Sequence, residues 1–222
     1  MSRVQTDHLR QGRFIRLRPV TEHDRAFLFR MLSDGDIGAR WRLRGAVPRP
    51  QAFDQLLWDG VLTQLIVEGS SGGPQRGLVT AYAANLSTGT AHVAVALAPQ
   101  STQRGYGPEA TAIFARYLFA TWTLRKLYFE TPEFNCSQFA SAIGRYLHIE
   151  ARLKGHEYFN GRYWDSLILA MYRDDLDRFY ADHPRLTHNN NGNRAVQERS
   201  YLHAGGTWPG NASVAAESAG DR

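Results

Sequence analysis

Cysteine is almost absent from the chain, since Cys136 is the only one among 222 residues. An internal disulfide is therefore impossible, and neither a disulfide framework nor a cysteine-rich zinc site can be built from this sequence. Disulfides form and persist in oxidising compartments, so their exclusion indicates a reducing one. We expect a cytoplasmic protein.

Long apolar segments are also lacking. The sequence has no run of about 18 apolar residues, which a membrane-spanning helix needs, and the N-terminal MSRVQTDHLRQGR has no apolar secretory core. The formal net charge is +5, but Asp and Glu number 21 and no Lys/Arg block of the nucleic-acid-binding kind occurs. We predict neither a membrane nor a nucleic-acid partner, and the excess positive charge suits a phosphate-rich coenzyme equally well.

The sequence contains enough apolar residues for one folded domain. Hydrophobic residues make up 43% of the chain, which is typical of a globular protein. We predict a flexible basic arm over residues 1–12 and a domain over residues 13–182. Residues 183–222 are rich in Asn, Gly and Ser, and we predict them to be disordered or loosely docked.

Hydrophobic periodicity predicts alternating strands and helices within this domain. The strongest strand pattern is TAHVAVAL at residues 90–97, which places His92, Ala94 and Ala96 on one face. Asn160-Gly161 is a typical hairpin turn. The other predicted elements are strands at 14–19, 64–68, 76–84, 126–131, 149–158 and 163–171, and helices at 21–35, 51–62, 108–124, 135–146 and 174–180.

Residues 101–118, STQRGYGPEATAIFARYL, connect the predicted strand 90–97 to a helix through a glycine loop. The free N–H groups of a helix's first turn, together with consecutive loop N–H groups, converge on one point and favour phosphate there. Glycine allows the backbone to come close to such a ligand. The sequence therefore predicts a phosphate-binding loop.

Four motifs and the order of the elements resemble the GNAT acyltransferase superfamily, in particular its branch of ribosomal-protein alanine N-acetyltransferase-like enzymes. The motifs are FIRLRPVTEHD, PQSTQRGYGPEA, ETPEFN and EARLKGHEYFNGRYWDSLILAM. The resemblance implies an α/β (α+β) fold: a mixed, mostly antiparallel twisted sheet of about six to seven strands, flanked by helices, with splayed central strands. It also implies acetyl-CoA as co-substrate, and no metal is expected.

In that family the glycine loop holds the pyrophosphate of the coenzyme. The resemblance therefore assigns cofactor contacts to Thr102, Gln103, Arg104, Gly105, Tyr106 and Gly107. The family has Gln or Arg where this chain has Thr102, a departure that leaves the N–H groups of the loop in place. Backbone N–H groups near Leu97 and Ala98 would polarise the thioester carbonyl. Asn135 would bond to the pantetheine or merely cap a helix.

Direct attack of an amine on the thioester needs a base, and His92 is the first candidate. An imidazole titrating near ~6.5 suits this role, although a solvent-facing histidine is the alternative. Glu130 is the second candidate, or else pairs with a surface lysine. The family's usual proton donors for the thiolate are replaced by Gln138 and Ala142. Ser137, Ser141 or water would then supply the proton.

Acceptor recognition is expected from the loop after the first predicted helix and from the last hairpin, at Trp41, Arg42, Tyr163 and Asp165. We predict a small-molecule amine, such as an antibiotic or a secondary metabolite, with a protein α-amino group as the alternative. A non-catalytic CoA-binding module is the rival from another class, favoured by Thr102 and Gln138. A third alternative, a nucleic-acid-binding protein, is supported by the net charge alone. Both a monomer and a homodimer remain open.

Overall fold

The computed structural model describes residues 7–41, 44–102 and 105–186. By its contacts the chain divides into residues 1–187 and 188–222, and the second unit lies outside the described residues. Arg42, Gln103 and Arg104 also lie outside them. The domain boundaries drawn from the sequence therefore stay predictions.

Seven strands and five α-helices make up the described domain. In chain order they are β1 (Ile15–Pro19), α1 (Arg25–Leu32), α2 (Gly35–Arg40), α3 (Phe53–Trp58), β2 (Val61–Gly69), β3 (Gln75–Asn85), β4 (Thr90–Leu97), α4 (Tyr106–Thr121), β5 (Lys126–Pro132), β6 (His148–Phe159), β7 (Arg162–Tyr172) and α5 (Arg173–Asp182). None of the helices in the described ranges is long and apolar enough to cross a membrane.

The strands form one sheet in the order β1-β2-β3-β4-β5-β7-β6. Every neighbouring pair is antiparallel except β4 and β5, which run parallel. The connection between these two strands passes through α4, because parallel strands need a crossover. The mixed, mostly antiparallel sheet predicted from the sequence is confirmed.

Side chains of β4 alternate between two separate cores, as the two-residue period of a strand requires. Ala91 and Val93 pack with α4 in the larger core. Ala94 and Ala96 pack on the opposite face with residues of α1 and α3. His92 has the parity of the second set, so it lies on the face covered by α1 and α3.

The FIRLRPVTEHD motif forms a buried polar network that attaches α1 to the sheet. The guanidinium of Arg18 donates to both carboxylate oxygens of Asp24 at 2.7 Å, and its Nε donates to Glu68 at 2.7 Å. Gln75 and the N–H of Thr21 also donate to Asp24, which is fully buried. Burial raises the pKa of Asp24, but these hydrogen bonds outweigh it and hold the pKa well below its usual range.

The helix predicted over residues 135–146 does not form. The chain makes a short 3₁₀ helix, Glu133–Phe139, followed by turns up to the start of β6. Gly144 adopts a φ of 80°, which an α-helix cannot contain, and its N–H donates to the carbonyl of Leu147. The apolar residues Ala142 and Ile143 still pack against the larger core, so their spacing reflects burial without a helix.

Two further local predictions have opposite outcomes. The Asn160-Gly161 turn between β6 and β7 is confirmed, with both residues in the left-handed region at φ values of 49° and 80°. The loop predicted after residue 35 instead contains α2. Asp34 caps that helix, because its carboxylate accepts hydrogen bonds from the N–H groups of Asp36 and Ile37.

Candidate active site

Strands β4 and β5 diverge in the middle of the sheet. Among the described residues they pair only over 90–92 and 126–128, although β4 continues to Leu97 and β5 to Pro132. The predicted splay of the central strands is therefore confirmed. An extended, peptide-like group can pair with a strand edge that is exposed in this way.

The hydrogen bonds of β4 decide which of its N–H groups face this opening. The N–H of Ala98 donates to the carbonyl of Arg76 in β3 at 2.8 Å. Antiparallel pairs alternate between hydrogen-bonded and non-hydrogen-bonded positions, so the neighbouring pair of Gly77 and Leu97 directs its backbone groups away from each other. The N–H of Leu97 consequently faces the opening, whereas that of Ala98 is already used.

A glycine turn leads from β4 into α4. The hydroxyl of Thr102 donates to the carbonyl of Pro99 at 2.9 Å, so it is occupied within the turn. Gly105 caps α4 with a φ of 73°, in the left-handed region that glycine adopts readily. Among the described residues, a Cβ placed on Gly105 would meet nothing within 4 Å. The cap of α4 thus has space beside it, which a phosphate at a helix N-terminus needs.

A bulge in β3 brings a cation to this helix N-terminus. Arg76 is the extra residue opposite the step from Val67 to Glu68, and a bulge of this kind redirects a side chain. Its guanidinium lies 4.5 Å from the ring centroid of Tyr106, the first residue of α4. Its Nε is buried and has no hydrogen-bond partner among the described residues. The guanidinium of Arg76, with one unpaired buried donor, therefore lies beside the glycine turn.

Gly107, the second residue of α4, lies against the end of β4. A Cβ on this glycine would contact the side chain of Leu97 at an ordinary distance of 3.7 Å. The glycine turn, the start of α4 and the N–H of Leu97 that faces the opening are thus adjacent at one end of the split sheet.

His92 lies where the split begins. It stands opposite Tyr82 of β3 and Tyr128 of β5, and its ring centroid is 5.5 and 5.3 Å from theirs. Its Nδ1 is buried and has no hydrogen-bond partner within the described ranges. Burial lowers the pKa of the imidazole, and the charge of Glu130 opposes that shift. A neutral ring with an unpaired nitrogen can accept a proton near pH 7.

Glu130 is part of an ion-pair chain that links three segments. Its carboxylate accepts a hydrogen bond from Nη2 of Arg44 at 2.9 Å, and the other terminal nitrogen of Arg44 pairs with Glu157 of β6. The partner of Glu130 is therefore an arginine from the loop after α2. Its carboxylate also acts on His92 through its charge.

The segment after β5 carries the remaining predicted polar groups. The amide nitrogen of Asn135 donates to the hydroxyl of Thr131 at 3.1 Å, while its Oδ1 is buried and unpartnered in the described part of the chain. Ser137 and Ser141 are both exposed to solvent. Asn135 therefore has an unpaired, buried acceptor, and the two serines have access to water.

Two nearby side chains are poorly suited to proton transfer or nucleophilic attack. The hydroxyl of Tyr146 donates to Asp182 at 2.7 Å, and burial together with this hydrogen bond raises its pKa. The thiol of Cys136 faces the carbonyl of Pro132, and burial raises its pKa as well. A thiol is a nucleophile in its ionised form, so the raised pKa keeps Cys136 unreactive.

The predicted acceptor residues occupy different environments. Trp41 is only 4% exposed and packs in the core beneath α1 and α3. Tyr163 on β7 is 70% exposed, and its ring lies 5.1 Å from that of Tyr158 on β6. Trp41 thus packs inside the domain, whereas the two tyrosines present their rings to solvent.

Asp165 holds the irregular part of β6. Its carboxylate accepts hydrogen bonds from the N–H of Gly155 at 2.9 Å and from Nε of Arg152 at 2.6 Å. These bonds lower the pKa of Asp165 to about 2. Gly155 has a φ of 52° and lies in the register shift of β6 between Leu153 and Glu157. Asp165 therefore fixes the backbone that positions the next residues of β6.

Three residues near the site were absent from the sequence predictions: Arg44, Arg76 and Glu157. No local pattern marks any of them, because each reaches the site through strand register, a bulge or a turn. Within the described residues, no group of three or more His, Cys, Asp or Glu side chains could hold a metal ion.

A family model described as an acetyltransferase (GNAT) domain matches residues 15–140. The chain therefore belongs to the GNAT acetyltransferase family, and the acyltransferase class inferred from the sequence motifs is confirmed. The closer resemblance to the ribosomal-protein branch stays a prediction. No curated protein sequence matches the chain at a significant level.

Several solved structures share the fold. A spermidine N-acetyltransferase from Vibrio cholerae in complex with CoA and spermine aligns with a TM-score of 0.65 at 19% identity, over 73% of this chain and 97% of that one. A chimeric form of the Vibrio cholerae enzyme aligns with a TM-score of 0.63 at 16% identity, over 74% of this chain and 98% of that one. The Vibrio cholerae enzyme in complex with manganese ions aligns with a TM-score of 0.60 at 18% identity, over 74% of this chain and 96% of that one. At this identity the likeness concerns the fold.

Proposed function

We propose that the protein transfers the acetyl group of acetyl-CoA to a primary amine of a small molecule by direct attack in a ternary complex.

 The observation that carries this proposal is the split between β4 and β5 next to the glycine turn of α4. Diphosphate would bind at the turn near Arg76, and the pantetheine arm would pair with β4 and with the unpaired Oδ1 of Asn135. The spermidine N-acetyltransferase from Vibrio cholerae, which shares the fold, was solved in complex with CoA.

In the proposed reaction the amine nitrogen forms a bond to the thioester carbonyl carbon and the carbon–sulfur bond breaks. His92 takes the proton that the amine loses, since its ring is neutral and has an unpaired nitrogen. The N–H of Leu97 stabilises the charge that develops on the carbonyl oxygen. Tyr146 is committed to Asp182, so Ser137, Ser141 or water gives the departing thiolate its proton.

A small-molecule acceptor fits the size of the nearby cavity. This cavity has a volume of about 300 Å³, at the lower end of the range for small-molecule sites, and lies between the loop after α2 and β6. The related structure from Vibrio cholerae contains spermine, a small amine. A protein α-amino group would have to enter the same space as an extended chain end.

Release of free thiol from acetyl-CoA over a panel of primary amines tests the proposal. We expect release that depends on both the amine and the enzyme. Tight binding of CoA without thiol release for any amine would instead favour a non-catalytic CoA-binding module. Salt-dependent DNA binding in place of CoA binding would favour a nucleic-acid binder.

Gly105→Ala tests the glycine turn. The substitution places a methyl group beside the turn, where the phosphate would bind, and strains a residue at a φ of 73°. We expect the KM for acetyl-CoA to rise about tenfold, equivalent to about 1.4 kcal/mol of binding. Initial rates at saturating amine measure it.

Gly60→Ala is the matched control for this substitution. Gly60 has a φ of 64° and equally open space, but it lies between α3 and β2. The Gly60→Ala variant should lose about as much stability as Gly105→Ala and keep the parent KM for acetyl-CoA. An equal rise in KM for both variants would show that backbone strain, rather than phosphate contact, is responsible.

A further inference from the structure

Arg44 occupies a site that is built from two carboxylates. Its guanidinium bridges Glu130 of β5 and Glu157 of β6. Arg44 itself has a φ of 51°, in the left-handed region that a residue other than glycine rarely adopts. The side chain of Arg44 is nevertheless 47% exposed, so solvent can reach the guanidinium. The two carboxylates are thus held by one cation that lies at the edge of the cavity.

The carboxylates are more buried than the cation between them. The side chain of Glu157 is only 10% exposed, and its Oε1 is buried without a hydrogen-bond partner in the described part of the chain. Glu130 is 21% exposed. Two negative charges face one positive charge, so the cluster retains a net negative charge and an unused acceptor. Both favour a further cation.

Aromatic side chains adjoin Glu157 and Arg44 of this cluster. The cavity of about 300 Å³ is lined by Ala39, Arg44, His156, Glu157, Tyr158 and Phe159. Tyr158 is 66% exposed and contacts the ring of Tyr163, which is also open to solvent. Carboxylates combined with aromatic faces are the groups that bind alkylammonium and guanidinium ions in proteins.

The charge of Glu130 couples this cluster to the reaction site. Glu130 acts on the imidazole of His92, the proposed base, while its carboxylate also holds Arg44. A molecule that lies with its reactive amine at His92 and extends toward β6 would meet Glu130 first and Glu157 next. The arrangement thus suits an acceptor with two amino groups.

We propose that the acceptor carries a second cationic group, and that this group binds to Glu157 and Glu130 in place of Arg44. This inference rests on the proposed acetyl transfer and specifies its substrate class as a diamine or longer polyamine. Arg44 then serves as an internal occupant, which neutralises the carboxylates until the substrate arrives. Removing its guanidinium therefore removes a group that competes with the substrate for Glu157 and Glu130.

The test compares a linear diamine with the monoamine of equal chain length. Glu157→Gln should lower the ratio of kcat/KM for diamine over monoamine about tenfold, because a charge-assisted contact is lost. Arg44→Ala should lower the KM for the diamine. Glu150→Gln is the control, since Glu150 also lies on β6 and binds one cation, Lys126. It should leave the ratio unchanged.

Three results would overturn the inference. The ratio could be the same in Glu157→Gln as in the parent, which would make the cluster a structural ion pair. Arg44→Ala could raise the KM for the diamine. It could also impair only amines that bear a carboxylate, which would make Arg44 an anchor for an anionic acceptor. Thermal unfolding of each variant shows that it folds.

A binding measurement separates this inference from the proposed reaction. The diamine alone should raise the melting temperature of the parent, and Glu157→Gln should abolish that rise. The inference survives if this pattern holds while no amine gives thiol release, in which case only the reaction fails. If thiol is released but neither the ratio nor the melting temperature responds to Glu157→Gln, only the inference fails.

Discussion

His92→Ala is expected to lower kcat for acetyl transfer about 100-fold to 10,000-fold, the usual contribution of a general base. The reason is the position of the ring at the start of the β4–β5 split, with a buried, unpaired Nδ1. Thiol release at saturating acetyl-CoA and amine measures the effect. His23→Ala is a suitable control, because that histidine is exposed on a short helix before α1.

The pH profile identifies the role of His92 more closely than the loss of rate. Burial lowers the pKa of the imidazole, so the neutral form persists to lower pH than in an exposed histidine, whose pKa is about 6.5. We expect kcat to fall as the pH drops through this lowered pKa. Glu130→Gln removes the opposing charge and should move the acidic limb to still lower pH. Full activity of His92→Ala across the pH range would refute the assignment.

Asp24→Ala is expected to lower the free energy of unfolding by about 3 kcal/mol or more, since it breaks a buried ion pair and leaves Arg18 without its main partner. The melting temperature should fall by roughly 6 to 12 °C for a chain of this size. Asp54→Ala is the control. Asp54 pairs with Arg25 on the surface, with the two side chains 58% and 44% exposed. Asp54→Ala should lower the free energy of unfolding by about 1 kcal/mol or less.

The same network makes a prediction about acid. The pKa of Asp24 is held below its usual range in the folded state, whereas the unfolded value is about 3.9. Its contribution to stability is therefore fully present above that value and is lost as the pH falls below it. The difference in stability between the parent and Asp24→Ala should shrink in acid. A constant difference down to pH values near 2, well below the unfolded pKa, would contradict the assignment.

The sequence was sufficient for most of the sheet because local patterns determine it. The alternation in TAHVAVAL placed His92 on the face of Ala94 and Ala96, and the structure has them on that face. The Asn160-Gly161 turn needs only two residues in the left-handed region, which these residue types favour. Such features depend on neighbours in the chain, so they can be predicted from it.

The environment of the site depends on contacts between distant segments. That His92 lies between Tyr82 and Tyr128 follows from the register of three strands, which no single segment specifies. Arg44 pairs with Glu130, which is 86 residues further along the chain, and with Glu157. Both contacts depend on a loop conformation that no motif marks. The residues predicted for the site are consequently those that a motif or a local pattern marks, and the pairing of Arg44 with Glu130 and Glu157 was missed.

The helix predicted over residues 135–146 shows a second limit. Its apolar residues do pack against the core, so the pattern recognised burial correctly. The backbone, however, forms a 3₁₀ helix and turns, and Gly144 in the left-handed region separates them from β6. Burial on one face is compatible with several backbone conformations, and the spacing alone does not choose between them.

Transfer of an isotopic label tests the central claim most directly. Acetyl-CoA labelled in its acetyl group would be incubated with the enzyme and a primary amine, and the amine analysed by mass spectrometry. The proposed mechanism predicts label on the amine nitrogen, matched mole for mole by free thiol and strongly reduced in His92→Ala. Acetyl-CoA that binds but stays intact, with no label on any amine, would contradict it.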